Sequence, residues 1–244
     1  MTGKAYGVSV GPGDPGLLTL KAAETLKRCP VIAAPFTQGG RSAALSIAEK
    51  AIDFTGKEIL PLSFEMTRDP QRLAASHKAA AEKLCAVLEE GRDTAVLCLG
   101  DTGIYGSFFY LVPFLREHGI DYEVIPGVPS FCAAAAALGV SLTERDLPLH
   151  IFPAAAEKTE DIASCRGTKV LMKSGSQLLP VLRFLRGAGL GKQAALAQNC
   201  GMEEERLFSS LPEEEVDPGY FSTVLLWDTP PYNEQKKGPD FHDQ

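Results

Sequence analysis

The stretch AYGVSVGPGDPGLLTLKAAETLKRC, Ala5–Cys29, decides the fold class. Its first six residues, Ala5–Val10, read as a short strand. The turn GPGDPG, Gly11–Gly16, packs three glycines, two prolines and one acid into six positions. From Thr19 to Cys29 the chain has helical periodicity and strong helix formers. Strand, glycine-rich turn and helix in that order form the repeating unit of an α/β sheet.

The same alternation continues outward. Val31–Pro35 reads as a buried strand, Ser42–Ile52 as a helix and Glu58–Phe64 as a strand. Asp69 is a good N-cap with Pro70 at the first helical position, and Gly91 follows the end of that long helix. TAVLCLG, Thr94–Gly100, is apolar throughout, as strands of a parallel sheet covered on both faces are. Ser107–Gly119 reads as one helix with Pro113 inside, and Asp121–Pro126 as a fifth strand.

The second half is less regular. Ser130–Gly139 is a helix of small residues. Strands are expected at Leu149–Ala154, Thr168–Lys173, Ala194–Asn199 and Phe221–Trp227, with a helix over Gln177–Arg186. The expectation is an N-terminal parallel α/β domain over 1–127 and a smaller α/β domain with a mixed sheet over 128–228. The polar, proline-rich tail 229–244 is expected to be disordered.

Composition narrows the function. The chain has 244 residues, 45% of them hydrophobic and 23% charged, and a net charge of −7. That balance disfavours a non-specific nucleic-acid binder, which needs a basic face, though it leaves room for a local basic pocket. No apolar run approaches the roughly 18 residues of a membrane span, and no secretory segment is recognisable. The six cysteines form no C-x-x-C pair and read as reduced cytosolic thiols. Four scattered histidines show no zinc spacing, so no protein-bound metal is expected.

Three turns each follow an expected strand: GPGDPG, LGDTGIYG (Leu99–Gly106) and PGVPS (Pro126–Ser130). Ligands of open α/β sheets bind at the carboxyl ends of the strands, so these loops are the candidate site. GPGDPG is neither a G-K-[ST] phosphate loop nor G-x-G-x-x-G. It is either a structural strand-to-helix turn or a place where backbone approaches a ligand. Asp101 is either a ligand-binding carboxylate or an N-cap of the following helix.

GVSVGPGDPGLLTLKAAETL, LGDTGIYGS, VIPGVPSFCAAAAALGVSLTERD and the late YFSTVLLW together resemble the tetrapyrrole (precorrin) methyltransferases, from about Tyr6 to Trp227. Within that family, PLSFEMTRDP and GYFSTVLL are similar to the precorrin-2 C20-methyltransferase branch. CLGDTGIYGS leans towards its cobalt-dependent members. The resemblance implies a two-domain cytoplasmic homodimer with S-adenosylmethionine bound between the domains. It implies methyl transfer to C20 of precorrin-2 or cobalt-precorrin-2 in cobalamin biosynthesis. Alternatives are another tetrapyrrole position, of the precorrin-4 or uroporphyrinogen III type, or a non-catalytic sensor of the donor.

Residue by residue, the implied donor-binding positions are Pro12, Leu99, Gly100, Asp101, Ile104, Pro129, Ser130, Met172, Ala197 and Gly201. Asp101 is also the candidate to accept the C20 proton. Two positions depart from the family pattern: Thr102 stands where proline is usual, and Pro129 where a hydroxyl residue is usual. The implied substrate carries eight carboxylates, which calls for arginine forks. Arg41, Arg68 and Arg145, all in expected loops, are the candidates.

Other residues invite plainer readings. Cys98 and Cys132 read as small buried hydrophobes, and His118 as a partner of helix-end carbonyls. The acidic runs Glu203–Glu205 and Glu213–Glu215 read as solvated faces. Phe108, Phe109 and Tyr110 read as core more than as the floor of a macrocycle pocket.

Overall fold

The computed structural model describes residues 1–231 except 38, 68, 155–157 and 215, and at 176 the backbone only. The tail expected to be disordered therefore lies outside the described residues from 232 onward. The chain divides into two compact units, Met1–Ser130 and Phe131–Gln244.

The first unit is a parallel sheet of five strands: β1 (Ala5–Ser9), β2 (Val31–Phe36), β3 (Glu58–Ser63), β4 (Thr94–Cys98) and β5 (Tyr122–Ile125), in the spatial order β3-β2-β4-β1-β5. The central strands β1 and β4 are buried at every residue, which is why their sequences lack the in-out alternation of a half-exposed strand. Ala5 pairs with Thr94 on one side and Tyr122 on the other.

The connecting helices begin where the sequence says. In α1 (Leu20–Arg28) Thr19 caps the amide of Ala22, and in α2 (Ala43–Ala51) Ser42 caps that of Leu45. Asp69 accepts from Gln71 and Arg72 at the head of α3 (Pro70–Glu89). Leu84 and Leu88 of α3 share a core with Phe108, Leu111 and Leu115. Phe108 is fully buried against Gly7, where an added Cβ would sit 2.6 Å from the ring.

One expected helix is two pieces. Ser107–Tyr110 is a 3₁₀ turn, and α4 spans Val112–Glu117. Pro113 lies in the first turn of α4, where its missing N–H removes no helical bond, so it does not interrupt the helix. Phe109 and Tyr110 are about half exposed, at 48% and 51%, so core packing holds for Phe108 only. His118 Nδ1 lies 2.8 Å from a Glu89 carboxylate oxygen, not against helix-end carbonyls.

The strand order sets neighbours β1 and β4 at a reversal. The chain leaves β1 towards β2 on one side of the sheet and leaves β4 towards β5 on the other. Adjacent strands whose connections depart in opposite directions mark the switch point of a doubly wound sheet. The ends of β1 and β4 meet there.

The second unit begins with α5 (Ser130–Leu138), whose first residue belongs to the first unit, and carries a mixed sheet. Its strands are β6 (Leu149–Pro153), β7 (Thr168–Met172), β8 (Ala194–Gln198), β9 (Arg206–Phe208) and β10 (Ser222–Leu226), in the order β6-β7-β10-β8-β9. β6 and β7 are parallel, while β10 runs antiparallel to β7 and β8. Helices α6 (Thr159–Ser164) and α7 (Leu178–Gly187) cover it, with Ile162, Val181, Leu182 and Leu185 in the core. Lys169, only 1% exposed, is paired with Asp228 at 2.6 Å and donates to the Cys165 carbonyl. Cys132 of α5 is exposed, because the inner face of this helix is taken by Phe131, Ala134 and Ala135.

Two outcomes check this packing. Gly127→Ala is expected to lose about 1–3 kcal/mol in urea denaturation, because the new Cβ would stand 2.4 Å from that of Ser9. Gly187→Ala, in open space at the end of α7, should instead be neutral or gain up to about 1 kcal/mol. Separately, hydrogen bonds from Lys21 and Lys4 hold the Glu123 carboxyl at about 2. A depressed carboxyl stabilises above its ordinary value and loses that contribution as pH falls towards the folded one. Glu123→Gln should therefore lower the neutral plateau by the small amount an exposed pair contributes, and flatten the fall in stability as pH drops below about 4.5, so that the two curves converge in acid.

Candidate functional site

The three glycine-rich loops do meet at the carboxyl edge of the first sheet, and the bonds that join them are mostly backbone. Gly100 donates to the Gly11 carbonyl at 2.8 Å and Gly11 to that of Gly100 at 3.2 Å. Both glycines have positive φ, +75° and +70°, a region open to glycine at no steric cost. The loops after β1 and β4 are thus zipped together at the switch point.

Asp101 ties in the third loop. Its Oδ2 accepts from the amide of Gly127 at 2.7 Å and its Oδ1 from that of Gly103 at 2.8 Å. A carboxylate accepting backbone N–H bonds makes charge-assisted contacts roughly twice as strong as neutral ones. Asp101 caps no helix; it clamps the loop after β4 to the loop after β5. Gly127 must be glycine for this, since a side chain would also meet the Gly100 carbonyl at 2.9 Å.

Thr102 explains its own departure from the family pattern. It is fully buried, its amide donates to Ser9 Oγ at 2.8 Å, and the two hydroxyls share a hydrogen bond of 2.8 Å. Proline lacks that amide. Ser9 was passed over in the sequence, although a serine in a strand buried at every position is itself a signal.

The other positions of the first unit gather round this clamp. Pro12 is buried in the first loop, which continues into a 3₁₀ turn closed by the Asp14 carboxylate on the Gly16 amide at 2.7 Å. Leu99 is half-buried, and Ile104 donates to the Asp101 carbonyl at 3.2 Å. Pro129 Cα and the Ser130 nitrogen lie 3.9 Å from where a Gly100 Cβ would be. Burial pushes the Cys98 thiol beneath them up to about 11, which keeps it from being a nucleophile.

In the second unit, Met172 and Ala197 share one end of the sheet, and Gly201 lies in the turn that follows β8. Val224 pairs with Leu171 on one side and Leu196 on the other, so Met172 and Ala197 lie one residue further on, either side of Thr223. The chain turns sharply there: Lys173 and Asn199 have φ near +50° and Gly201 +76°. Left-handed non-glycine residues concentrate at functional edges. Burial lowers the pKa of Lys173, a residue the sequence reading did not single out. Glu205 accepts from the Gly201 amide at 2.7 Å, so this member of the acidic run closes a loop instead of merely facing solvent.

Of the arginines, Arg41 is exposed in the loop after β2, where its carbonyl accepts from Thr37. Arg145 is exposed with φ +52° in the second unit, and Asp146 beside it lies 3.8 Å from Arg166. Arg68 lies outside the described residues. Among the described residues no three His, Cys, Asp or Glu side chains group as metal ligands, and no helix is long and apolar enough to cross a membrane.

Comparison with known proteins bears on this geometry. The family model of the tetrapyrrole (corrin/porphyrin) methylases matches residues 4–215. The chain is 41% identical over 151 residues to the probable cobalt-precorrin-2 C(20)-methyltransferase of Methanocaldococcus jannaschii, covering 62% of this chain and 64% of that one. It covers only 46% of the length of three Mycobacterium relatives. It is 31% identical over 235 residues to the precorrin-2 C(20)-methyltransferase of Sinorhizobium and to the cobalt-precorrin-2 C(20)-methyltransferase of Salmonella typhimurium, covering 92–93% of this chain and 95–97% of theirs. Among solved structures, a cobalt precorrin-4 methyltransferase superposes with a TM-score of 0.66 at 21% identity, covering 92% of this chain and 94% of that one. The uroporphyrin-III C-methyltransferase of Thermus thermophilus, solved with S-adenosylhomocysteine, does so with 0.63 at 22%, covering 93% and 98%. These two likenesses establish the α/β fold.

Two substitutions test the clamp. Asp101→Ala frees two amides and is expected to cost about 1–3 kcal/mol of stability. Ser9→Ala leaves the buried Thr102 amide unpaired at a similar cost. Urea denaturation measures both, and losses under about 0.5 kcal/mol would mean that the loops hold without these bonds.

Proposed function

The chain belongs to the tetrapyrrole (corrin/porphyrin) methylase family, and on that premise we propose that it transfers a methyl group from S-adenosylmethionine to C20 of cobalt-precorrin-2 or precorrin-2. One observation carries the choice of position: relatives from Methanocaldococcus, Sinorhizobium and Salmonella are all named for C20, two of them matched over nearly their whole length. The 41% identity to the Methanocaldococcus relative favours the cobalt form. The Thermus neighbour solved with S-adenosylhomocysteine supports the sulfonium donor. The working form is read as a cytoplasmic homodimer, which the family resemblance supports.

The chemistry asks for placement more than for activation. In an in-line displacement the positive sulfonium becomes a neutral thioether, so charge disperses towards the transition state and no metal or strong base is needed at the donor. The rate then depends on holding the C20 nucleophile, the methyl carbon and sulfur in line. In this reading the backbone of the loops after β1, β4 and β5 meets the donor. Met172, Ala197 and Gly201 are assigned to the donor on the family resemblance. Asp101 acts first as a positioning residue: its oxygens accept from Gly103 and Gly127, so it keeps the loops in register, and it stays the candidate to take the C20 proton. Arg41, Arg68 and Arg145 are assigned to substrate carboxylates.

An anaerobic assay tests this reading, with S-adenosylmethionine and either precorrin-2 or cobalt-precorrin-2, products being followed by mass and NMR. The expected product carries one new methyl at C20, with the cobalt form preferred. Methylation at another carbon, or none on either substrate, would overturn it.

A further inference from the structure

The carboxyl edge of the first sheet holds a second feature, away from the β1–β4–β5 clamp. A cleft of about 300 Å³ opens at the ends of β2 and β3, lined among others by Phe36, Ser63, Phe64, Glu65, Arg72 and Ser76. At this size it sits at the bottom of the ~300–1,000 Å³ range of small-molecule sites. It has room for part of a macrocycle and not the whole.

Its lining combines what an acidic aromatic ring needs. Phe36 and Phe64 supply apolar wall. Phe64 is braced by the His77 ring at 6.1 Å, which stacks on Tyr110 at 4.2 Å and 11°. Ser76 Oγ accepts from the Glu65 amide at 2.8 Å and donates to the Ser63 carbonyl at 3.3 Å, fixing the segment after β3 to α3. The charge is Arg72, whose guanidinium Nη2 meets a carboxylate oxygen of Glu65.

That ion pair is the informative part. The Arg72 side chain is 64% exposed, and exposed pairs contribute only about 0–1 kcal/mol. Glu65 therefore holds the guanidinium in the cleft at little cost to anything that replaces it. A planar fork suits a carboxylate, and a chain of net charge −7 needs local cations to receive a polyanion.

We propose that this cleft receives one carboxylate-bearing ring of the tetrapyrrole, with Arg72 exchanging Glu65 for a ring acid group. The inference rests on the C20 reading above and adds a residue that sets substrate affinity. Glu65 acts as a built-in competitor that the substrate displaces.

The test is the KM for the preferred tetrapyrrole in the anaerobic methylation assay, with the KM for S-adenosylmethionine and thermal stability measured in parallel. Arg72→Gln should raise the tetrapyrrole KM about three- to fivefold, and Glu65→Gln should lower it. Ala75→Leu, at an exposed lining position of α3, should raise it by filling the cleft. The donor KM should stay within about twofold. A purely structural ion pair would move Arg72→Gln and Glu65→Gln in the same direction, and that result, or no change in either, overturns the cleft assignment. A wild-type chain that places no methyl at C20 overturns the reading beneath it and the cleft with it.

Discussion

One carboxylate holds the candidate site together. The two oxygens of Asp101 take the amides of Gly103 and Gly127, and the paired backbones of Gly11 and Gly100 join the remaining loop. The loops after β1, β4 and β5 are joined by these bonds. The topology brings these loops together: β1 and β4 are neighbours, and their onward connections run past one another towards opposite edges of the sheet. Glycine is required at 127 by close approach and at 11 and 100 by positive φ. The turn chemistry of the first loop therefore has a structural use, the Gly11–Gly100 bridge, and on the proposed reading the same backbone faces the donor.

This construction suits methyl transfer on the proposed reading. Nothing in that reaction calls for a poised acid or a metal at the donor, so precision of placement is what the protein supplies. A clamp made of charge-assisted backbone bonds gives that placement. Recognition of an acidic macrocycle is a separate task, and it falls to cations at the edge of an acidic protein. The cleft beside β2 and β3 separates the two duties along one sheet edge, with the loops for the donor and an exchangeable arginine for the acid groups.

The parallel sheet was legible because its signals are local. Thr94–Cys98 is apolar at every position since both faces are covered, and Thr19, Ser42 and Asp69 cap their helices as their positions suggest. Elements whose existence depends on distant partners were not legible. Strand β9 is three residues, Arg206–Phe208, paired at an edge with β8, and no alternation can be read in three residues. Pro113 was placed inside a helix whose first turn it in fact occupies.

The candidate site divides in the same way. The three loops and Asp101 could be found from turn chemistry and family resemblance. The Gly103 bond is a local turn of the kind aspartate favours, but the Gly127 partner, twenty-six residues away, could not be read. Ser9 and Thr102, ninety-three residues apart, form a pair that only the fold brings together. The Arg72–Glu65 pair joins a strand end to the first turn of α3, and seven residues of separation say nothing of a cleft.

The account depends most on Asp101 being a clamp and not a group that turns towards ligand. A crystal structure of the chain with S-adenosylhomocysteine tests that directly. The account expects both Asp101 oxygens still within hydrogen-bond distance of the Gly103 and Gly127 amides, with the ligand lying against loop backbone. A carboxylate rotated off either amide and bonded to the ligand would contradict it.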